Sequence, residues 1–363
     1  MSITNHAGRL IAATAALLVG LFATGASAQE EQSYQLRMAT SWESGPLMDL
    51  GAKAFAQRLE FLSNGRIKVE VFPGGAIGEP LKVTDSVRRG IADMGHTWPG
   101  YDWGRDTTTV AFGGFAGTMD MERMLHWLYE GGGIQLWRDF RKEQFGIIGM
   151  PLYFRTMETF LHSRVPIASL DDLKGVKIRT AGAWLEMLKE LGAAPVTTAG
   201  AEIYPMLERG VIDATEWGSP WEDTFPKFYE VTQYVIIPGI HQPTAPFELQ
   251  VNEQVWEKFS DRDKQLIELA AKQVTLEGWL TIGYNDAKAM QEYEAKGKQI
   301  VELNVDVQKR ARELGFQFAE RQSAENPWFK RVWDSQREFM QLWKNAERYR
   351  YPALEVRTMQ AGE

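Results

Sequence analysis

Hydrophobic and polar positions follow two rhythms along this chain. Period-two alternation and short apolar runs predict strands at 34–40, 66–72, 91–98, 146–153, 157–164, 176–180 and 211–216, with others near Val196 and at 299–303. Helical spacing predicts helices at 46–62, 79–89, 183–191, 201–209, 260–296 and 327–349. Their order predicts an α/β fold with two lobes, the first built on a mostly parallel sheet and the second on a sheet of its own.

The two longest predicted helices lie near the C-terminus. Ser260 and Asp263 form a capping signal for the first, which is long enough to span both lobes. The last helix carries an apolar stripe made of Trp328, Phe329, Val332, Trp333, Phe339, Leu342 and Trp343. Two interpretations of this stripe stay open: it packs onto its own lobe, or it contacts a partner subunit in a homodimer.

The N-terminus has the pattern of a secretory signal. Arg9 precedes an apolar run, and Ala26 and Ala28 form an A-x-A-like cleavage site. The run is short for a membrane span and no stop-transfer pattern follows, which disfavours an uncleaved anchor. Residues 1–28 are therefore predicted to be removed on export to the periplasm, leaving a mature chain from about Gln29.

Size, charge and composition narrow the function classes. Removing residues 1–28 from the 363 leaves 335, and the net charge moves from −8 to −9 because that segment carries Arg9 and no acid. A chain of this size favours two lobes, and its acidic balance argues against nucleic acid or an anionic membrane as partner. An anionic ligand would need a local cationic pocket. The absence of cysteine excludes disulfides, thiolate metal sites and a cysteine nucleophile, and the H-E-x-x-H and G-x-S-x-G signatures are missing.

The stretch "DDLKGVKIRTAG" (171–182) contains the first candidate binding residue. Alternation places Lys177 and Arg179 on one face of the 176–180 strand. From the pattern alone, two solvated side chains are the favoured interpretation. Alternation by itself thus predicts the same surroundings for Arg179 as for Lys177.

Four stretches together resemble a known family. They are "FPGGAIGEP…VTDSVRRGIADMGH" (72–96), "DDLKGVKIRTAG" (171–182), "LGAAPVTTAGAEIYPMLERGVIDATEW" (191–217) and "ENPWFKRVWDSQREF" (325–339). In this order they resemble the DctP-type substrate-binding subunits of tripartite ATP-independent periplasmic (TRAP) transporters, in particular the branch that binds 2-oxo and 2-hydroxy monocarboxylates. The resemblance implies a two-lobe periplasmic solute-binding fold with an interlobe cleft, a long lobe-spanning helix and a C-terminal helix.

The resemblance also implies domain bounds and a function. Lobe I is expected to comprise 29–155 and 245–284, lobe II 156–244 and 285–325, and the C-terminal helix 326–363, where the dimer contact of the second interpretation would lie. The protein is expected to bind an organic acid and deliver it to the integral-membrane TRAP permease subunits. It is not expected to be an enzyme. Two alternatives stay open: a binding protein for an aromatic acid or a dicarboxylate without metal, and an exported hydrolase that uses Glu158 and Glu216 as paired carboxylates.

Three residues receive their roles from the resemblance. Gly175, Lys177 and Arg179 match the family's G-x-K-x-R strand, whose arginine forms a bidentate salt bridge to the ligand carboxylate. Glu216 and the main chain of Trp217 match the positions that hold a cation, Na⁺ or Ca²⁺, against the ligand. Without the resemblance, Glu216 is equally well explained as a cap for the turn that follows it.

The chain departs from that branch between residues 154 and 159. The branch offers a side-chain amide near Met157, and no Gln is present here. Glu158 replaces that oxygen ligand, or Arg155 occupies the place of the cation and meets a second acidic group on the ligand, or both residues face solvent. Whether a metal is bound, and which acid is the ligand, therefore both stay open.

Aromatic and amide side chains complete the candidate pocket. Trp98 and Tyr101 follow the third predicted strand, and Trp184, Trp217 and Trp221 add ring surface from the second lobe. Aromatic residues collected at strand ends predict a pocket for an apolar body as well as a carboxylate. Gln242 and Glu248 are polar candidates, and His241 is expected to be structural.

Overall fold

Two β-sheets organise the chain from Tyr34 onward. The computed structural model describes residues 32–353 and Val356, so the predicted signal peptide and its cleavage site lie outside the described residues. The strands in this part are β1 Tyr34–Thr40, β2 Ile67–Phe72, β3 Met94–Thr97, β4 Ile147–Arg155, β5 Leu161–Ser163, β6 Lys177–Arg179, β7 Ala194–Val196, β8 Ala214–Thr215, β9 Tyr234–Ile237, β10 Ala245–Asn252 and β11 Gln299–Glu302.

Helices surround both sheets. They are α1 Ala54–Leu62, α2 Val83–Arg88, α3 Thr108–Gly113, α4 Met121–Tyr129, α5 Gly133–Phe145, α6 Trp184–Glu190, α7 Gly200–Glu208, α8 Phe228–Val231, α9 Glu253–Lys258, α10 Asp261–Ala295, α11 Val305–Glu325 and α12 Pro327–Arg350. A π-helical segment, Leu47–Lys53, leads into α1, and short 3₁₀ turns occur at Pro80–Lys82, Pro99–Asp102, Asp171–Leu173 and Glu222–Thr224.

The first sheet has the strand order β2-β1-β3-β10-β4. Strand β1 is parallel to β2 and β3, whereas β10 is antiparallel to β3 and β4. Strands β1, β2, β3 and β4 therefore run in one direction, as predicted for a mostly parallel sheet, and β10 runs against them. Strand β4 leaves this sheet for the second one and β10 returns from it, so these two strands run in opposite directions.

The second sheet has the order β11-β9-β5-β8-β6-β7. Strand β6 lies between β7 and β8 and is parallel to both, with Arg179 opposite Thr215. Parallel neighbours end at the same edge of a sheet, so the residues after β6 and β8 meet there. The strands of each sheet fall inside the ranges expected for lobes I and II, while the lobe boundaries themselves stay a prediction.

Helix α10 connects the two sheets. The hydroxyl of Ser260 accepts a hydrogen bond from the Asp263 amide at 3.1 Å, so the predicted capping signal starts the helix. Its first half packs against β4 and α1, and its second half contacts β11 and the 222–224 turn. Within the described residues, no helix is both long and apolar enough to cross a bilayer.

The last helix packs within its own chain. Helix α12 contacts α3, α4, α5 and α11, and it buries Phe329, Val332 and Trp333 among their aromatic side chains. Asn326 caps it by accepting hydrogen bonds from the amides of Trp328 and Phe329. These residues therefore follow the first interpretation of the apolar stripe, in which it packs onto its own chain.

Candidate functional site

Arg179 lies at the end of β6, where the sheet edge faces the first lobe. Its side chain is 2% exposed, whereas that of Lys177 is exposed. Nε and Nη2 donate to the carbonyl of Thr198 at 3.3 and 3.1 Å, and Nη1 donates to the carbonyl of Glu216 at 3.1 Å. The guanidinium also stacks on the Trp217 ring, 5.0 Å from its centroid. These contacts hold Arg179 in one orientation, with its charge inside the protein.

Glu216 follows β8 and lies beside Arg179 because the two strands are neighbours. Its Oε1 accepts hydrogen bonds from the Ala181 amide at 2.9 Å and from Arg179 Nη1 at 3.2 Å. Burial raises the pKa of Glu216, and the charge of Arg179 counteracts part of this rise. The carboxylate is thus committed to the second lobe's own main chain and to Arg179.

Arg155 is the last residue of β4, at the crossover from the first sheet to the second. Nη1 donates to Glu158 Oε1 at 2.8 Å and to the Trp217 carbonyl at 2.6 Å, and Nε forms an ion pair with Glu222 Oε2 at 3.0 Å. Burial alone would lower the pKa of Arg155, but the carboxylates of Glu222 and Glu158 outweigh it and raise the pKa. The guanidinium is therefore a permanent buried charge.

Glu158 lies in the irregular segment that precedes β5, in place of the longer strand predicted there. Burial raises its pKa to about 7, against the opposing effect of Arg155. Its Oε2 is 2.9 Å from His241 Nε2, and burial lowers the pKa of His241 to about 4. His241 Nε2 and Glu158 Oε2 share a hydrogen bond, while His241 Nδ1 has no partner among the described residues.

Trp98 and Tyr101 of the first lobe form an aromatic wall, next to the amide of Gln242 at the crossover back to that lobe. The indole of Trp98 donates to the Gly113 carbonyl at 2.9 Å, and the same carbonyl accepts from Gln242 Nε2 at 2.7 Å. Tyr101 packs edge-on against Trp98, with ring centroids 5.4 Å apart. Across the cleft, Gly182 has φ +65°, and a Cβ there would come within 2.6 Å of the Trp98 ring. Glycine at this position lets the two lobes approach.

All eight predicted ligand-binding residues line one cavity. Trp98, Tyr101, Arg155, Glu158, Arg179, Glu216, Trp217 and Gln242 surround it together with Ala181 and His241. Their roles in binding stay a prediction. The cavity has a volume of about 20 Å³, room for roughly one water molecule. An organic acid is larger, so it enters only when the lobes separate or Trp217 moves.

A second, larger cavity adjoins the first. It measures about 220 Å³ and is bordered by both lobes, with Trp42 and Leu47 on one side and Tyr204 and Phe225 on the other. Trp217 lines both cavities. Its ring is therefore the partition between the charged cavity and this aromatic chamber.

Some predicted residues lie elsewhere. Trp184 is buried against Phe160 and His241, and Trp221 packs against Phe225. Glu248 binds Arg141 inside the first lobe, at 2.6 Å. The sequence reasoning did not name Glu222, which pairs with Arg155. It expected His241, which lines the charged cavity, to be structural, and that expectation stays a prediction. The proximity of Glu222 to Glu216 on one loop was the available signal.

Among the described residues, one group has the composition of a metal site. Glu158, Glu216 and His241 are buried and offer ligand atoms within 4.8 Å of one another. Two carboxylates and an imidazole can bind a divalent cation. Arg155 and Arg179, however, each bond to one of these carboxylates.

Comparison with known proteins identifies the family. The family model for bacterial extracellular solute-binding proteins of family 7, named DctP, matches residues 38–324. The chain belongs to this family. The DctP proteins are the solute-binding subunits of TRAP transporters, so the two-lobe fold and the transport class predicted from the sequence are confirmed.

Individual relatives are more distant. The monocarboxylate 2-oxoacid-binding periplasmic protein of Nostoc sp. is 27% identical over 308 residues, covering 84% of this DctP chain and 83% of the relative. A Pseudoalteromonas atlantica TRAP binding protein, solved with sodium and pyruvate, has a TM-score of 0.84 at 22% identity, covering 91% of this chain and 100% of the other. One from Bordetella bronchiseptica, with calcium and picolinate, has a TM-score of 0.82 at 24% identity, covering 87% and 96%. The expectation of Na⁺ or Ca²⁺ thus agrees with the ions that these neighbours bind.

Proposed function

We propose that this protein captures a small organic acid, a 2-oxo or 2-hydroxy monocarboxylate being favoured, and delivers it to TRAP permease subunits. The observation that carries the proposal is the pair of buried guanidiniums, Arg155 and Arg179, in one cavity with the rings of Trp98 and Trp217. A buried guanidinium binds a carboxylate through charge-assisted hydrogen bonds, which are strong where water is excluded. A relative that binds 2-oxoacids and two structural neighbours solved with pyruvate and picolinate support the ligand class.

Binding would couple to lobe closure. Trp98 and Tyr101 belong to the first lobe, and Arg179, Glu216 and Trp217 to the second, so one acid contacts both. A ligand shifts the open and closed populations only as far as its affinity for the two differs. An acid that needs both sets of contacts therefore favours the closed state, which is the form expected to dock on the small and large membrane subunits.

The aromatic chamber suits the ligand's body. Its lining includes Trp42, Tyr204 and Phe225, and it begins where Trp217 separates it from the carboxylate site. An acid held by Arg179 would extend its carbon chain or ring into this chamber. A panel that compares pyruvate, a branched-chain 2-oxo acid, phenylpyruvate and a dicarboxylate, read by thermal unfolding, would rank these bodies, because stabilisation grows with ligand concentration over Kd.

The substitution Arg179→Lys tests the carboxylate site. Lysine keeps the charge but loses the planar pair of donors, so we expect the Kd for the best acid of the panel to rise about 10- to 100-fold. Titration calorimetry measures it. The matched control is Arg209→Lys, an exposed arginine of the same lobe, whose Kd should equal that of the parent. Parental affinity in Arg179→Lys would refute the assignment.

The remaining expectations belong to the same proposal. The family is one of binding proteins, and we infer that the acid is released unchanged; turnover of an acid or sugar during incubation would support the rival hydrolase that uses Glu158 and Glu216. Export with cleavage near Ala28 predicts an intact mass for the periplasmic protein that begins near Gln29. Light scattering tests the proposed homodimer.

A further inference from the structure

The guanidinium of Arg155 occupies the positions expected for a cation. The resemblance assigns the ion to the Trp217 main chain, the Glu216 side chain and an oxygen from the segment around Met157. In this chain the Trp217 carbonyl accepts a hydrogen bond from Arg155 Nη1 at 2.6 Å, and Glu158 Oε1 accepts from the same nitrogen at 2.8 Å. Two of the three oxygens that would coordinate the ion therefore surround one nitrogen of Arg155.

One oxygen of the third ligand is engaged as well. Glu216 Oε1 accepts from Arg179 Nη1 and from the Ala181 amide. A Na⁺ or Ca²⁺ ion on these ligands would lie next to two buried guanidiniums, and like charges repel strongly where water is excluded. The residues at this site thus do not fit the ion that the neighbours hold.

Arg155 is fixed where it is. Glu222 Oε2 pairs with its Nε at 3.0 Å, and Glu222 is itself held by the Tyr153 hydroxyl at 2.9 Å and the Ser219 amide at 3.2 Å. The guanidinium also stacks on Phe247, 4.8 Å from the ring centroid. If Arg155 swung away to admit an ion, the buried carboxylates of Glu158 and Glu222 would lose their cation, which is costly.

We propose that the Arg155 guanidinium replaces the bridging cation, so that this protein binds its acid without a metal ion. In the part of the chain that the structure describes, no acceptor bonds to Arg155 Nη2, which leaves this donor for the oxo, hydroxy or second carboxylate group of the ligand. Arg179 takes the first carboxylate, as in the proposed function on which this inference rests. The ligand class is an acid with a second oxygen group besides its carboxylate.

The test compares the parent protein with and without metal. Ligand-stripped protein is titrated with pyruvate, then with a dicarboxylic 2-oxo acid, in potassium buffer with a chelator, and again with added calcium or sodium. We expect Kd values that agree within twofold. An affinity that improves tenfold or more with either ion overturns the inference and leaves the proposed function intact. No binding of any acid under either condition contradicts the proposed function itself.

The substitution Arg155→Gln gives an independent readout. Glutamine removes the charge and offers an amide oxygen, so the variant is expected to bind the acid at least tenfold more weakly in metal-free buffer and to recover part of this loss with calcium or sodium. Thermal unfolding establishes that the variant is folded, and Arg209→Gln serves as the control. Unchanged affinity of a folded Arg155→Gln variant in metal-free buffer would refute the role of the guanidinium.

Discussion

Burial keeps the His96 side chain neutral in the folded protein. His96 is fully buried, its Nδ1 lies 3.1 Å from the Glu248 carbonyl, and the rings of Trp42 and Phe247 pack around it. Burial lowers its pKa from 6.5 to about 4, and the main-chain contacts compensate only in part. His96 therefore stays neutral in the folded protein over a pH range in which it is charged in the unfolded chain.

This difference predicts a pH dependence of stability. Between pH 6.5 and 4 the unfolded chain binds more protons at His96 than the folded protein does. The stability that neutral His96 contributes is therefore present above pH 6.5 and is lost as the pH falls through 4. In His96→Gln this loss is absent, and the free energy of unfolding of the parent should fall by about 2–3 kcal/mol relative to the variant over this range. Urea unfolding at pH 7, 5.5 and 4 measures it. A constant difference between the two proteins would contradict the prediction.

Single residues also show how far the sequence pattern reaches. Lys177 and Arg179 share a strand face, yet Lys177 is exposed and Arg179 is buried. Alternation cannot separate them because the distinction depends on β8 and Glu216, which lie more than thirty residues further along the chain. The family motif did single out Arg179. The sequence left the surroundings of Arg155 undetermined, because its contact with the Trp217 carbonyl depends on how the end of β4 packs against the loop after β8.

At the scale of elements, α10 fastens the loop that carries Trp217. Asp286 Oδ1 accepts hydrogen bonds from the Ser219 hydroxyl at 2.7 Å and the Trp221 amide at 2.8 Å, and Oδ2 accepts from Thr156. One carboxylate thus joins the long helix, the 218–221 loop and the crossover after β4.

Removal of this carboxylate should affect both stability and binding. In Asp286→Ala three donors lose their acceptor, and we expect the free energy of unfolding to fall by about 2–4 kcal/mol. Weaker acid binding should accompany this fall, because the loop after Trp217 loses its anchor. Chemical denaturation and calorimetry measure the two effects. Asp306→Ala is the control, since the side chain of Asp306 is 94% exposed. Equal free energies of unfolding and equal acid affinities in the two variants would contradict the prediction.

Helices and strands with a regular hydrophobic period were predictable from the sequence. Strands whose extent depends on pairing with distant strands were not. Strand β1, α10 and α12 appear within a few residues of their predicted bounds. The predicted strand at 157–164 shrinks to Leu161–Ser163, because Glu158, which lines the cavity, forms only an isolated bridge with Gly239 and not a continuous ladder. Strands β9 and β10 and helices α3, α4 and α5 were not predicted, and β10 is what makes the first sheet mixed.

At the scale of the whole molecule, α12 completes the core. Trp333 lies among Phe115, Phe316 and neighbouring aromatic rings, and Gln336 bonds to the Ala111 carbonyl at 2.7 Å. Most of the apolar stripe that suggested a dimer contact is therefore covered by this chain. The homodimer itself stays a prediction.

Two substitutions in α12 separate core from surface. Trp333→Ala should lower the free energy of unfolding by about 3–5 kcal/mol, because it leaves a cavity in the aromatic cluster. Leu342→Ala, at a position that is 66% exposed, should change it by less than about 0.5 kcal/mol. Denaturant unfolding distinguishes these values. If Leu342→Ala destabilised the protein strongly, and did so only at high protein concentration, this residue would instead contact a second copy of the chain.

The partition formed by Trp217 gives the protein an optical property. Indole emission responds to a neighbouring charge, and the Trp217 ring lies 5.0 Å from the Arg179 guanidinium. Trp98 lines the same cavity. Two of the 13 tryptophans therefore lie where a bound acid that neutralises this charge would change their emission. The protein therefore carries its own fluorescent reporter, and acids from a crude extract could be ranked by intrinsic emission without any label.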